Sequence, residues 1–367
     1  MGLSKLGNLR DFVDQARDRQ DVNPPRHATT IRDVARDAGV GVGTVSRVLN
    51  GGSQVSRATQ ERVKRVIRRL GFRPNAQARR IHRRRSETVC FLLSNRSFPN
   101  SFHARILQGV EDCASAMKQH VLFAGVRYES ATAPHNIELP SILEERGLFD
   151  GLILSGTNHP NFLSRVQKMQ IPFVVFGNNV VDFEGEKYFD QVGYDGFQGE
   201  LEAVRYAIGQ GHRRMAFVGD ITYPWVRVRH SAFLKACHDA RLRPSTITTP
   251  KPLGFAAYGE WACSAVLASK PRPTVVVAVN DEVAFGLWRS FRRRGIQVPD
   301  DISLIGFDDR EEATLMDPPL TTVRVRKEEI GQTCLRMLLE RLRNPEMAFV
   351  ERTLSTDLIV RETVRKL

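Results

Sequence analysis

Cysteine is scarce in this chain and follows no pattern. The 367 residues contain five, Cys90, Cys113, Cys237, Cys263 and Cys334. The number is odd and no two share Cys-x-x-Cys spacing, which disfavours a disulfide framework and a zinc site alike. Buried thiols in a reducing compartment are the expectation. No run is apolar enough to span a membrane, and the first residues lack the apolar core of a secretory signal. A cytoplasmic location is expected. Gly-x-Ser-x-Gly, His-Glu-x-x-His and Gly-x-x-x-x-Gly-Lys are all absent, and no metal cluster is apparent. An enzyme therefore finds little support, and neither metal nor cofactor is expected.

Acidic residues are thin in one part of the chain. Residues 1–90 hold 20 Lys/Arg against 8 Asp/Glu, whereas residues 91–367 hold 34 against 33. Nearly all of the net charge of +13 thus sits in the N-terminal quarter. A basic run is, alone, as readily a solvated face as a polyanion site. Its company decides the matter. Thr30–Asn50 reads as two short helices joined by a tight turn. Thr30 and Asp33 have capping-box spacing, with Asp in place of the usual Glu or Gln. Ile31, Val34, Ala35 and Ala38 recur at helical spacing, and Gly39 suits a left-handed helix end. A second helix from about Val42 turns Val45, Val48 and Leu49 inward and leaves Thr44, Ser46 and Arg47 outside. This is a helix-turn-helix, and nucleic acid becomes the better partner for the basic segment.

The length suits two or three domains. Residues 1–28 could form a short amphipathic helix before Asn23-Pro24-Pro25; the residues do not choose between packing on a partner and disorder. Asn50–Ser53 is a loop, and Ser56 can cap a third helix ending at Leu70 and Gly71. The cation-rich segment from Arg73 to Arg85 has little to bury; phosphates could neutralise it and let it order as a helix. From Glu87 onward, apolar runs alternate with helical stretches: Val89–Leu93, Val121–Ala124, Gly151–Leu154, Phe173–Phe176, Met215–Val218, Val275–Val279 and Ile302–Ile305. That rhythm predicts doubly wound α/β structure with parallel strands, too many for one small sheet. Two lobes with a ligand cleft between them are expected.

Several motifs occur in family order: Asp33–Val40 (DVARDAGV), Thr44–Asn50 (TVSRVLN), Pro74-Asn75 with Ala78-Arg79, Gly211-His212, Asn280-Asp281, Asp301–Asp309 (DISLIGFDD) and Pro318–Thr322 (PPLTT). Over about residues 29–365 the chain resembles the lactose-repressor (LacI/GalR) family of bacterial transcription regulators. The resemblance implies an all-α helix-turn-helix domain (29–73) after the extension (1–28). A hinge helix (74–86) and an α/β two-lobed periplasmic-binding-protein-like sensor core (87–367) follow. Lobe 1 is expected at about 87–178 and 323–350, lobe 2 at about 179–322 and 351–367. A homodimer on a near-palindromic operator, controlled by a small effector such as a sugar, is implied. Repression is the commoner outcome in the family; activation, or sugar binding in transport without a DNA role, are the alternatives. The sign of the effector's action is not legible.

The family pattern places Val42, Gly43 and Arg47 at base edges and Thr44 and Ser46 at phosphate or bases, and adds Thr30, Asn75 and Ala78 to the DNA-facing set. Arg47 can fork onto guanine. Gly43 brings no side chain, and Gly41 stands where Ser is common. Asn50, Ser56 and Thr59 read equally well as phosphate partners or as ordinary loop and cap residues. Ile81 corresponds to the leucine that relatives wedge into the central base step. In the core the pattern puts Arg229, Asn280 and Asp308 in the cleft, lined by Ser94, Phe102 and Phe255. Ala232, Lys327 and the Asn100–Ala104 stretch depart from the common pattern, which leaves the effector open, an acidic or phosphorylated one included. His212, after Gly211 before a strand, reads as a structural turn residue.

Overall fold

A computed structural model of the chain describes residues 29–49, 54–72, 86–96, 101–145, 147–249 and 253–367. They belong to two separate compact units divided between Arg84 and Arg85. Residues 1–28 and the expected hinge segment to Arg85 lie outside the described residues.

The first unit is three helices, α1 (Ile31–Ala38), α2 (Val42–Leu49) and α3 (Arg57–Leu70). The capping box is complete: the Asp33 amide donates to Thr30 Oγ1 and the Thr30 amide donates to Asp33 Oδ2 at 2.9 Å. Gly39 closes α1 at φ 60°, ψ 41°, a conformation costly for a residue with a Cβ. Ser56 caps α3 through the Thr59 amide, and Gly71 ends it in the left-handed region. Val34, Ala35, Ala38, Val45, Val63, Val66 and Phe72 form the small core. Arg69 pairs with Asp37 at 2.9 Å and ties α3 to α1.

The second unit runs β1 (Thr88–Ser94), α4 (Ser101–Ala116), β2 (His120–Val126), α5 (Ser141–Glu144), β3 (Gly151–Gly156), α6 (Pro160–Gln167), β4 (Phe173–Phe176), β5 (Asp190–Tyr194), α7 (Gly196–Gly209), β6 (Met215–Val218), α8 (Pro224–Asp239), β7 (Ser245–Ile247), α9 (Phe255–Ala268), β8 (Val275–Ala278), α10 (Asp281–Arg293), β9 (Ser303–Asp308), α11 (Glu312–Leu315), β10 (Thr321–Val325), α12 (Lys327–Arg343), β11 (Glu351–Leu354) and β12 (Thr356–Ile359). Two six-stranded sheets result, ordered β11-β5-β4-β3-β1-β2 and β12-β10-β9-β8-β6-β7. All pairings are parallel except β10 with β12. β1, β3, β4, β6, β8 and β9 are buried throughout as near-continuous apolar runs because helices cover both faces, whereas the edge strands β2, β11 and β12 are partly exposed. In β1, Val89, Phe91 and Leu93 enter one core while Cys90 and Leu92 enter another. All five cysteines are buried thiols.

The expected lobe boundaries need correction. β5, placed in lobe 2 by the sequence, pairs with β4 in the first sheet, as Val174 with Asp190. β10 was split at residue 323 and lies wholly in the second sheet. β11, placed in lobe 2, pairs with β5. The chain thus crosses between lobes after Tyr194, after Val325 and between Leu354 and Thr356. A buried ion pair sets β11 beside β5. Arg341 of α12 grips Asp190 of β5 through Nε at 2.8 Å and Nη2 at 2.9 Å. The same carboxylate accepts the Val350 amide, and Arg341 Nη2 donates to the Ala348 carbonyl, so the loop is steered onto β5.

Close helix crossings stiffen each lobe. A Cβ at Gly109 in α4 would collide with the Glu328 carbonyl, and one at Gly331 in α12 with the Ile106 carbonyl. Gly259 of α9 and Gly286 of α10 make the equivalent contact in lobe 2. We predict that Gly331→Ala destabilises the core by about 1–3 kcal/mol, the usual cost of overpacking. Urea unfolding checks this, and an unchanged midpoint would refute the crossing as a constraint.

Candidate functional sites: a helix-turn-helix surface and an interlobe cleft

The recognition helix α2 shows its polar side outward. Val42 is 43% exposed, Gly43 and Arg47 are exposed, and Thr44 and Ser46 are half-buried. Gly41 supplies only its carbonyl, which accepts the Thr44 and Val45 amides. Thr30 is exposed but its hydroxyl is occupied by Asp33 at 2.7 Å. Ser56 and Thr59 share a hydroxyl bond of 2.9 Å at the start of α3. Asn50, Asn75, Ala78 and Ile81 lie outside the described residues. Residues 29–49 and 54–72 carry nine Lys/Arg against three Asp/Glu.

In the core, strand ends from the two sheets face a cleft of about 440 Å³, part of it open to solvent. It brings together Phe102, Arg229, Phe255, Asn280 and Asp308. Arg229, on α8, is the most engaged. It is 1% exposed; Nη1 donates to the Val279 carbonyl, and Nη2 donates to the Tyr194 hydroxyl at 2.6 Å and to Asp308 Oδ1 at 3.3 Å. Its guanidinium lies 3.5 Å from the Phe307 ring centre and 4.9 Å from that of Trp225. Asn280 caps α10, its Oδ1 accepting the Val283 amide at 2.9 Å. Asp308 sits at φ 115°, strained for a residue with a side chain. Burial raises its pKa, against the pull of Arg229 and Lys327. Lys327 reaches from α12 to the Asp308 and Asp309 carbonyls, joining lobe 1 to lobe 2.

Ser94 does not join this group. It is fully buried at the end of β1, 2.9 Å from the Ser155 and Thr157 carbonyls and 2.7 Å from Asn158 Oδ1, and it locks lobe 1 instead of lining the cleft. Other lining residues escaped the sequence reading: Arg96, His103, Asn179, Tyr194, Trp225, Glu282 and Arg310. Strand-end position marked Tyr194 once β5 is recognised, and adjacency to Asp308-Asp309 marked Arg310. His212 acts as a clamp, its Nδ1 against Thr274 Oγ1 at 2.9 Å and its Nε2 against the Arg365 carbonyl at 3.1 Å.

Comparison with known proteins agrees with both halves. The family model described as bacterial regulatory proteins, lacI family, matches residues 30–75, and the periplasmic binding protein-like domain matches residues 204–364. The chain is 30% identical to the PurR repressor of Vibrio parahaemolyticus over 350 residues, covering 92% of this chain and 99% of that one.

The chain belongs to the LacI family.

It is a DNA-binding transcriptional regulator. This LacI-family chain is also 28% identical to the CytR repressor of Escherichia coli K12 over 345 residues, covering 93% and 97% of the two. Among solved structures, the lac repressor dimer bound to operator and an anti-inducer matches with TM-score 0.76 at 25% identity, covering 92% and 99%. The transcriptional regulator CelR in complex with cellobiose matches with TM-score 0.65 at 28% identity, covering 91% and 99%.

One group beside the LacI-family cleft was missed entirely. Glu200, on α7, is 1% exposed, and neither carboxylate oxygen has a hydrogen-bond partner. Burial raises its pKa from the ordinary 4.5 to about 8, although the Arg229 charge opposes the rise. Arg229 Nε is likewise buried without a partner. Between pH 4.5 and 8 the folded chain therefore keeps a proton that the unfolded chain has lost. Folding then takes up a proton, so stability falls as pH rises, by up to about 1.4 kcal/mol per pH unit. Glu200→Gln removes this cost. Its advantage over the natural chain should be small near pH 4.5 and grow to pH 8 in thermal unfolding; an advantage that does not change with pH would contradict the assignment.

Proposed function

We propose that the chain acts as a homodimeric repressor whose operator binding is set by a small effector, a sugar or related metabolite, in the interlobe cleft. One observation carries the reading. The contacts that span the lobes converge on the groups that would hold a ligand. Arg229 bonds Tyr194 across the cleft, and Lys327 bonds the carbonyls of Asp308 and Asp309. A ligand that takes Arg229 or Asp308 as partner competes with these bonds and so shifts the balance between lobe arrangements. With two subunits, such a shift alters the separation of the two segments before Ser86 and their capacity to order on DNA. The relatives solved with operator, anti-inducer or cellobiose support both ends of this coupling.

On the DNA side, the exposed Arg47 is the principal reader, Val42 offers apolar contact, and Thr44, Ser46, Ser56, Thr59 and Thr30 serve phosphates or caps. Asn50, Asn75, Ala78 and Ile81 complete the proposed interface. Selection of sites from random DNA by the purified protein tests the reading, and an inverted repeat should emerge. Arg47→Ala should relax preference at one base pair by about 1–3 kcal/mol. Arg83→Ala should weaken all sequences alike and lower the salt dependence. Equal losses on selected and random DNA for both variants would sink this division, and failure to enrich any inverted repeat would sink the operator reading.

A further inference from the structure

We infer that the effector carries an anionic group, a carboxylate or a phosphoryl, and that Arg96 receives it. The inference rests on the cleft being the effector site. Arg96 follows β1 on lobe 1, lines the cleft, and lies with its guanidinium 5.8 Å from the ring centre of Phe255 on lobe 2. It is half-buried, its Nε is enclosed without a hydrogen-bond partner, and no carboxylate of the described residues stands within ion-pair distance. Burial lowers its pKa, while Tyr223 and Glu282 act on it only from a distance.

The other cations at the cleft each have internal partners that a ligand would have to displace. Arg229 is engaged by Tyr194, Val279 and Asp308. Arg310 is held by Glu282 and by Glu312 at 2.9 Å. Lys327 is bound to two carbonyls. These pairings engage one oxygen each of Glu282 and Asp308, so a hydroxyl that approaches either carboxylate meets a group already partly neutralised. His103 adds no charge: burial, aided by the Arg96 field, holds its pKa at about 3, and its Nδ1 meets Ser155 Oγ at 2.9 Å. Among the described residues, Arg96 is thus the cleft cation with no carboxylate at ion-pair distance, set in a partly dehydrated wall, a costly arrangement unless an anion arrives. A guanidinium offers carboxylate and phosphoryl oxygens two parallel N–H donors. Phe255 and Trp225, with ring centres 5.9 Å apart and edge to face, give the ligand's carbon skeleton an apolar surface.

Calorimetric titration of the full-length protein tests this with matched probes: D-glucose against D-gluconate and D-glucose 6-phosphate, and D-ribose against D-ribonate and D-ribose 5-phosphate. An acidic member should bind about 10- to 100-fold tighter than its neutral parent, the worth of a charge-assisted contact. The arm that responds separates carboxylate from phosphoryl. Arg96→Gln should erase the discrimination and Arg96→Lys should keep most of it. A neutral parent that binds as tightly as its acids, or a discrimination that survives Arg96→Gln, overturns the inference. A neutral sugar that binds and alters operator affinity overturns it while the effector reading stands; absence of binding by every probe counts against both.

Discussion

The core depends on one buried cation. Arg229 has almost no contact with water, yet it must remain charged, and the surrounding protein is arranged to permit that. A carbonyl, a phenol and a carboxylate take its two Nη groups, while Phe307 and Trp225 present their electron-rich faces. These partners lie on β5, on β9 and just after β8, with Trp225 on α8 itself, so three strands and α8 are placed relative to one side chain. Removal of any single partner would leave a charge poorly compensated in a dry place. That cost makes the cleft a natural point of control, because a ligand can substitute for an internal partner with little loss.

The same economy governs the neighbouring groups. Burial raises the pKa of Asp281 to about 7, with Asp308 adding to the rise, and the carboxylate is served by the Thr322 hydroxyl at 2.6 Å and the Arg310 amide at 2.7 Å. Glu200 has no such service and keeps a proton instead. Carboxyl groups near the cleft therefore hold their protons with different strength, according to their burial and to who donates to each. Arg96 completes the picture from the opposite lobe as a cation with no carboxylate at ion-pair distance among the described residues.

Much of this was legible in the sequence, for identifiable reasons. Seven strands announced themselves as apolar runs, six because a parallel strand buried on both faces must be one, and β2 as an apolar run at a partly exposed edge. The capping box and Gly39 announced the helix-turn-helix because cap chemistry is local. β5 was not visible: Asp-Gln-Val-Gly-Tyr contains polar residues whose partners, Arg341 and Glu351, lie 151 and 160 residues away. β11 and β12 sit at the sheet edges, where half-exposed polar residues erase the periodicity. With those strands unseen, the crossings between lobes were misplaced. The same distance effect hid part of the site. Arg229 and Asp308 stood in recognisable motifs, whereas the meaning of Arg96, Tyr194 and Glu200 depends on neighbours that only folding brings near. Ser94 erred in the other direction, a small polar residue at a strand end whose hydroxyl is consumed inside its own lobe.

The chain passes between the lobes three times, at residues 194–196, 325–327 and 354–356, and each lobe borrows strands from beyond those passages. Neither lobe is therefore a contiguous segment that recombination could lift out. A cut at any crossing would strip one sheet of a strand and bare a row of unpaired backbone groups. The first unit has no such entanglement, since its three helices close their own core before Arg85. In heredity as in engineering, the reading head is the exchangeable part, and the two-lobed core must travel whole.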